Sequence, residues 1–304
     1  MSLECRCPHL PYSHRTFKEV ERLLGRRQFL IGAAAAGAAM LMPWRARAAG
    51  SVTVIKAARL FTGTKMQTPG VLVISGDRIV SMNAGDAGSN AAVIDLGDAT
   101  IMPGLIDCHT HIAAFLVPSH YMEGMFAKNA VADNVPEATL YSIRNAQVML
   151  KNGFTTIRDV GGSAGIDLAL RNAINNGALV GPRVLAGGQS LSITGGHGDT
   201  NDVPDWVVET SDDRMGAVSF GPYGFREVVR QHVKLHVDHI KILATGGVLS
   251  YGDVWDVPQF NLDEVTAVVE ESQKFNRKVA AHAHGDPGIA VAVQGGVHSV
   301  EHGT

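Results

Sequence analysis

From Thr100 onward, apolar runs of strand length alternate with helix-patterned stretches, and this alternation constrains the chain more than any other feature. The runs are TIMPGLIDCH, TTIRDV, RVLAGGQ, HIKILAT, KVAAHAH and HSVEHG. Between them lie PEATLYSIRNAQVMLKNG, GIDLALRNAINNG, FREVVRQHVKLHV, LDEVTAVVEESQKFN and GIAVAVQGG, several ending in Asn-Gly or Gly-Gly, a common helix stop. Parallel strands need crossover helices, so such a pattern folds as a parallel sheet or a (β/α) barrel. A closed barrel takes eight strands and typically about 250 residues. Only six strands are countable here, in roughly 200 residues against that norm. The expected class is therefore α/β, of the (β/α)8 TIM-barrel type, with only about six βα units in an incomplete barrel over residues 100–304. Its unpaired edges would be an aggregation hazard.

The ends of these runs carry the chemistry. His109 and His111 close the first, Lys241 lies in HIKILATGGV, and His282 and His302 lie in KVAAHAHG and HSVEHGT. Residues two apart on a strand share a face, so His109 and His111 can converge. Neutral imidazole is a common metal ligand and suits zinc. Strand ends are where a barrel gathers a catalytic centre. Asp107 shares the His109 face and is expected to orient it from behind. Asp159, after the second run, fits either a structural or a supporting role. Glu301 precedes His302 and, by strand alternation, is expected to face away from it. His232, His236, His239 and His298 are read as surface or packing residues. Gly246 and Gly247 allow a sharp turn, and SYGDVWDVPQF is read as part of a pocket lid.

Upstream, residues 49–99 show short alternating runs (SVTVIKAARLF, VLVISGDRIVSM, AAVIDLG) and Gly-Asp turns, the pattern of a small β-sandwich-like domain. Residues 1–48 read as a twin-arginine signal peptide. Arg26 and Arg27 precede an uncharged Ala/Gly/Leu/Met run, and Ala46-Arg47-Ala48 is a small-residue cleavage site. The run falls short of the roughly 20 strongly apolar residues of a membrane span. A periplasmic or secreted location follows, with the twin-arginine export machinery as a partner. Cys5 and Cys7 lie in the leader, so Cys108 alone would remain and no intrachain disulfide could form. A formal net charge of −3 and the lack of a long Lys/Arg stripe argue against nucleic acid as a partner.

PGLIDCHTH, HIKILATGGV, VAAHAHG and SVEHGT, in that order, resemble the amidohydrolase superfamily, in its imidazolonepropionase-like and Xaa-Pro dipeptidase-like branch. The resemblance implies that His109 and His111 bind the more buried of two divalent metals, zinc by preference. It implies that Lys241, carbamylated by carbon dioxide, bridges the pair, and that His282 and His302 hold the second ion. An anionic carbamate oxygen suits a hard or borderline dication, whereas an unmodified lysine would repel one. His284 and His197 then become candidate substrate contacts, and so does Tyr251. The implied reaction is hydrolysis of the C–N bond of dipeptides or N-acyl amino acids by a metal-bridging hydroxide. Relatives in the superfamily use an aspartate after an eighth strand as general base. No acidic residue follows His302, so no catalytic acid or base is assignable. An inactive truncated relative is the alternative, and a mononuclear deaminase a weaker one, since Lys241 argues against it. A small-molecule or peptide substrate is expected, and a homo-oligomer is left open.

Overall fold

Pro103 divides the chain. It donates no backbone N–H, and the single run TIMPGLIDCH accordingly becomes two strands belonging to different units. The computed structural model describes residues 52–83, 91–112, 135–199, 201, 216–248 and 254–304. The leader, Cys5, Cys7 and Tyr251 lie outside the described residues.

Among the described residues before Gly104 the regular structure is β. One sheet has the order β5-β4-β1-β6, from β1 (Val52–Ala57), β4 (Gly70–Ser75), β5 (Arg78–Met82) and β6 (Ala92–Asp95). A second sheet runs β3-β2-β7, from β2 (Arg59–Phe61), β3 (Met66–Gln67) and β7 (Thr100–Ile101). Val54, Ala57, Leu60, Leu72 and Val73 are its buried side chains.

The unit from Gly104 onward alternates strands and helices. The strands are β8 (Leu105–Thr110), β9 (Phe154–Asp159), β10 (Arg183–Ala186), β11 (Ser190–Ile193), β12 (Gly216–Ser219), β13 (His239–Leu243), β14 (Lys278–Ala283) and β15 (Ser299–His302). The helices are α1 (Val135–Lys151), α2 (Ile166–Asn175), α3 (Gly221–Lys234), α4 (Leu262–Gln273) and α5 (Gly285–Gln294). All pairings here are parallel, in the orders β10-β9-β8 and β12-β11-β13-β14-β15. Asp238 N–H donates to the Ala186 carbonyl at 2.8 Å, which carries the sheet across the break between β10 and β11.

The break has a local cause. Gly187 follows β10, and a Cβ there would stand 2.8 Å from the His239 Nε2, so the backbone passes closely over that ring. β11 and β12 were not among the expected strands. SLSI and GAVS are too short and too rich in small residues to read as buried strands beforehand.

Apolar packing between strands and helices builds the core. Ile157, Val184, Leu191, Ile240, Ile242, Val279 and Ala281 meet Phe225, Val229, Val265 and Val268. All five β13 residues are buried, and each of its two isoleucines contributes about 1.5–3 kcal/mol by leaving water. That burial fixes the register, and the register decides which polar side chains face the concave side. Lys241 pairs with Ala280, and His282 with Glu301.

Candidate metal centre

Six imidazoles meet at the downstream strand ends. The His109 ring lies 5.3 Å from His111 and 4.8 Å from His302, centroid to centroid. His302 is 4.6 Å from His282 and 4.9 Å from His284, while His282 is 4.8 Å from His284 and 4.5 Å from His197. The ligand atoms of His282, His284 and His302 all fall within 4.8 Å of one another, close enough to share one ion.

Hydrogen bonds set the ring tautomers. His111 Nδ1 faces the Gly161 carbonyl at 3.2 Å, and His282 Nε2 faces the Gly246 carbonyl at 2.9 Å. A carbonyl only accepts, so those nitrogens carry hydrogen and the opposite nitrogen keeps its lone pair. His109 Nδ1 faces Glu301 Oε2 at 2.9 Å in the same manner.

Electrostatics favour the neutral form of three of the rings. Burial, with the charges of His197 and Lys241, holds the His282 imidazole at about 2. Burial also lowers His111 to about 4, joined by the Lys241 charge, and lowers His302 to about 4, joined by His109 and Lys241. Neutral imidazoles with a free lone pair are what a dication requires.

Lys241 is 1% exposed, one of the largest fully buried side chains among the described residues. Burial pulls its amine down to about 8, against the opposing pull of Glu301. A buried ammonium is costly, so the neutral amine is reached at lower pH than in an ordinary lysine. Its charge is felt by His111, His282 and His302, which places it among the rings.

All five expected ligands are therefore brought together, with His284 and His197 beside them. His284 joins the three-nitrogen group, and its Nδ1 also lies 2.9 Å from the Thr304 hydroxyl. The indole of Trp255, in the described part of the expected lid, meets the His284 ring edge-on at 6.1 Å. His197 occupies the space over Gly247, where a Cβ would collide with its ring.

Two expectations are corrected. Glu301 does not point away: it is 6% exposed and bonded to His109. Alternation fails because His302 has φ +72°, a left-handed turn that brings its ring back among the other histidines. Asp107 does not reach the His109 ring; its carboxylate accepts that residue's backbone N–H at 3.0 Å. His232 and His239, expected to be surface or packing residues, are both buried and so pack. His232 bridges the Val228 and Gln189 carbonyls, and His239 faces Lys241's side of β13 with neither ring nitrogen bonded.

Asp159 accepts the Ile112 N–H at 2.7 Å and the Gly161 N–H at 3.3 Å, and its charge acts on Lys241. Arg158 was missed altogether. It donates to Glu301 Oε1 at 2.6 Å and to the Cys108 carbonyl at 2.6 Å. Its signal was present in TTIRDV, since an arginine in a strand buried on both faces needs a buried acid.

Residues 100–304 match the family model described as the amidohydrolase family. The chain belongs to that family. Ochratoxinase of Aspergillus niger is 32% identical over 267 residues, spanning 83% of this chain and 54% of its own. A crystal structure of a Xaa-Pro dipeptidase with bound methionine in the active site is 37% identical with a TM-score of 0.73, covering 83% of this chain and 62% of that one. A prolidase complexed with N-methylphosphonate-L-proline is 34% identical with a TM-score of 0.73, covering 83% and 61%. The chain thus spans about half the length of the curated relatives it matches. Family members are typically metal-dependent, and the donors assembled here fit a divalent ion in type, protonation and proximity.

Proposed function

We propose that this amidohydrolase is a metal-dependent hydrolase of the C–N bond in dipeptides or N-acyl amino acids. The observation that carries the reading is the convergence of His109, His111, His282 and His302 around a buried Lys241 whose charge acts on three of those rings. Two divalent ions, zinc by the imidazole-rich donor set, would acidify a water molecule and polarise the substrate carbonyl.

The chain's own residues do the rest. His109 and His111 offer their Nε2 lone pairs, and His282 offers Nδ1, as their hydrogen bonds dictate. Neutral Lys241 Nζ can add to carbon dioxide. Its lone pair forms the C–N bond, one C=O pair moves onto oxygen, and a proton leaves nitrogen for solvent. The product is an anionic carbamate, whose oxygens would be suitable donors to a divalent ion. Desolvation favours the nucleophilic free amine needed for this step.

His284, between the centre and Trp255, and His197, against His282, are the side chains nearest a substrate. Trp255 supplies an apolar face there. The printed activities of the relatives, an ochratoxinase and a Xaa-Pro dipeptidase, support amide substrates with a carboxyl-terminal amino acid. Export by the twin-arginine route to the periplasm belongs to the same proposal, supported by Arg26, Arg27 and the Ala46–Ala48 site.

The test is a panel of Xaa-Pro dipeptides and N-acyl amino acids, offered to the chain reconstituted with zinc and bicarbonate. Turnover that falls to background in Lys241→Ala supports the reading. Turnover unchanged in that variant would reject the role given to Lys241.

A further inference from the structure

Behind the histidine cluster, a carboxylate is fixed from three sides. Glu301 Oε1 accepts from Arg158 Nη2 at 2.6 Å and from Ser299 Oγ at 2.7 Å. Arg158 is itself anchored, its Nε to the Cys108 carbonyl at 2.6 Å and its Nη1 to Ser299 Oγ at 3.2 Å. Both of those contacts and the Glu301 pair tie β9 to β8 and β15 across the concave face. What remains free is Oε2, and it faces His109 Nδ1 at 2.9 Å.

A carboxylate saturated on one oxygen by a guanidinium and a hydroxyl can only accept from the ring. His109 Nδ1 must then carry the hydrogen, and Nε2 the lone pair. Without that partner the two neutral tautomers of an imidazole compete, and the Nε2–H form cannot ligate through Nε2. A carboxylate behind a ligating histidine also fixes ring orientation and raises ligand basicity.

We propose that Glu301, clamped by Arg158 and Ser299, is a positioning residue that locks His109 in its Nδ1–H tautomer and aims its Nε2 at a divalent ion. The second half of this inference rests on the metal-dependent reading above; the tautomer half stands on the geometry alone. The competing explanation is a tie between strands, an Arg–Glu pair that only holds β9 to β15.

The two explanations separate in the full 304-residue chain labelled with ¹⁵N-histidine and kept metal-free. The ring-nitrogen shifts of His109 report the tautomer directly. The wild type is expected as Nδ1–H, and Glu301→Gln as a mixture or as Nε2–H. Zinc affinity at this site, measured by chelator competition, should drop about 10- to 100-fold in Glu301→Gln. Ser299→Ala, which loosens the clamp without removing the carboxylate, should shift both readouts the same way by less, and it carries the test where Glu301→Gln fails to fold.

A Glu301→Gln protein that keeps the wild-type His109 shifts and zinc affinity, while unfolding at lower urea, would overturn the proposal in favour of the tie. An Nε2–H tautomer in the wild type would also overturn it. A wild type that takes up no zinc but shows the tautomer change on substitution would uphold the positioning and reject the metal reading.

Discussion

Lys241 carries the account at the scale of single residues. Its amine is lowered from the ordinary lysine value to about 8 by burial, so the metal-free, carbamate-free fold binds this proton less tightly than the unfolded chain. The sign follows. Below about 8 the full penalty is present, and it fades as pH rises toward the unfolded lysine value of roughly 10.4. Lys241→Met should therefore be more stable than wild type at pH 7 in metal-free, carbon dioxide-free buffer, and the gap should close by about pH 10. Urea denaturation of both proteins across that range checks it; a gap constant with pH would contradict it.

Gly247 makes a second residue-scale prediction, because a methyl there meets the His197 ring. Gly247→Ala should cost about 1–3 kcal/mol, or displace His197 from His282, as urea denaturation and the His197 chemical shifts would report. Single residues were unevenly legible. The convergence of Lys241 with the four expected histidines could be read because the histidines lie at or near the ends of their strands. Glu301 could not, because the positive φ of His302 breaks the alternation from which its direction was inferred.

Among the elements, α4 shows how ion pairs and caps hold the helices that carry the strands. Glu264 Oε2 accepts the Asn261 N–H and its Oε1 accepts the Gly221 N–H, both at 2.8 Å, so one carboxylate caps α4 and binds the start of α3. At the far end of α4, Glu271 receives Arg230 at 2.7 Å and Lys274 at 2.8 Å, with Arg226 at 3.4 Å. Those hydrogen bonds and charges hold its carboxyl at about 2, below the ordinary value of 4.5. The contribution of this group is complete above about 4.5 and is lost as pH falls through about 2. Glu271→Gln should thus lower stability at pH 6 and flatten its decline between pH 5 and 2, measured by urea titration at each pH. A parallel decline in both proteins would count against the network.

Elements were legible where length and periodicity agreed, as in the five helices among the described residues and most barrel strands. They were not where the chain breaks a strand for a tertiary reason. β10 and β11 are separated by a glycine passage over His239, and Pro103 splits what reads as one run into β7 and β8.

The whole molecule is two units, a β unit before Gly104 and a curled parallel sheet with its helices after it. In the second unit the first and last strands are not hydrogen-bonded to each other, yet His109, Arg158, Ser299, Glu301 and His302 meet across the concave face. The six βα runs forecast parallel strands with chemistry-bearing residues gathered at their ends. Substrate choice was less legible, because loops shape a pocket and a fold hosts many chemistries.

The central claim is that these side chains form a metal centre joined through Lys241. Its most direct measurement is zinc per chain, by inductively coupled plasma analysis after reconstitution with zinc and bicarbonate. The account predicts about two ions per wild-type chain, and a loss in Lys241→Ala restored in part by a short-chain carboxylic acid standing in for the carbamate. A folded wild-type chain that retains no zinc would contradict it.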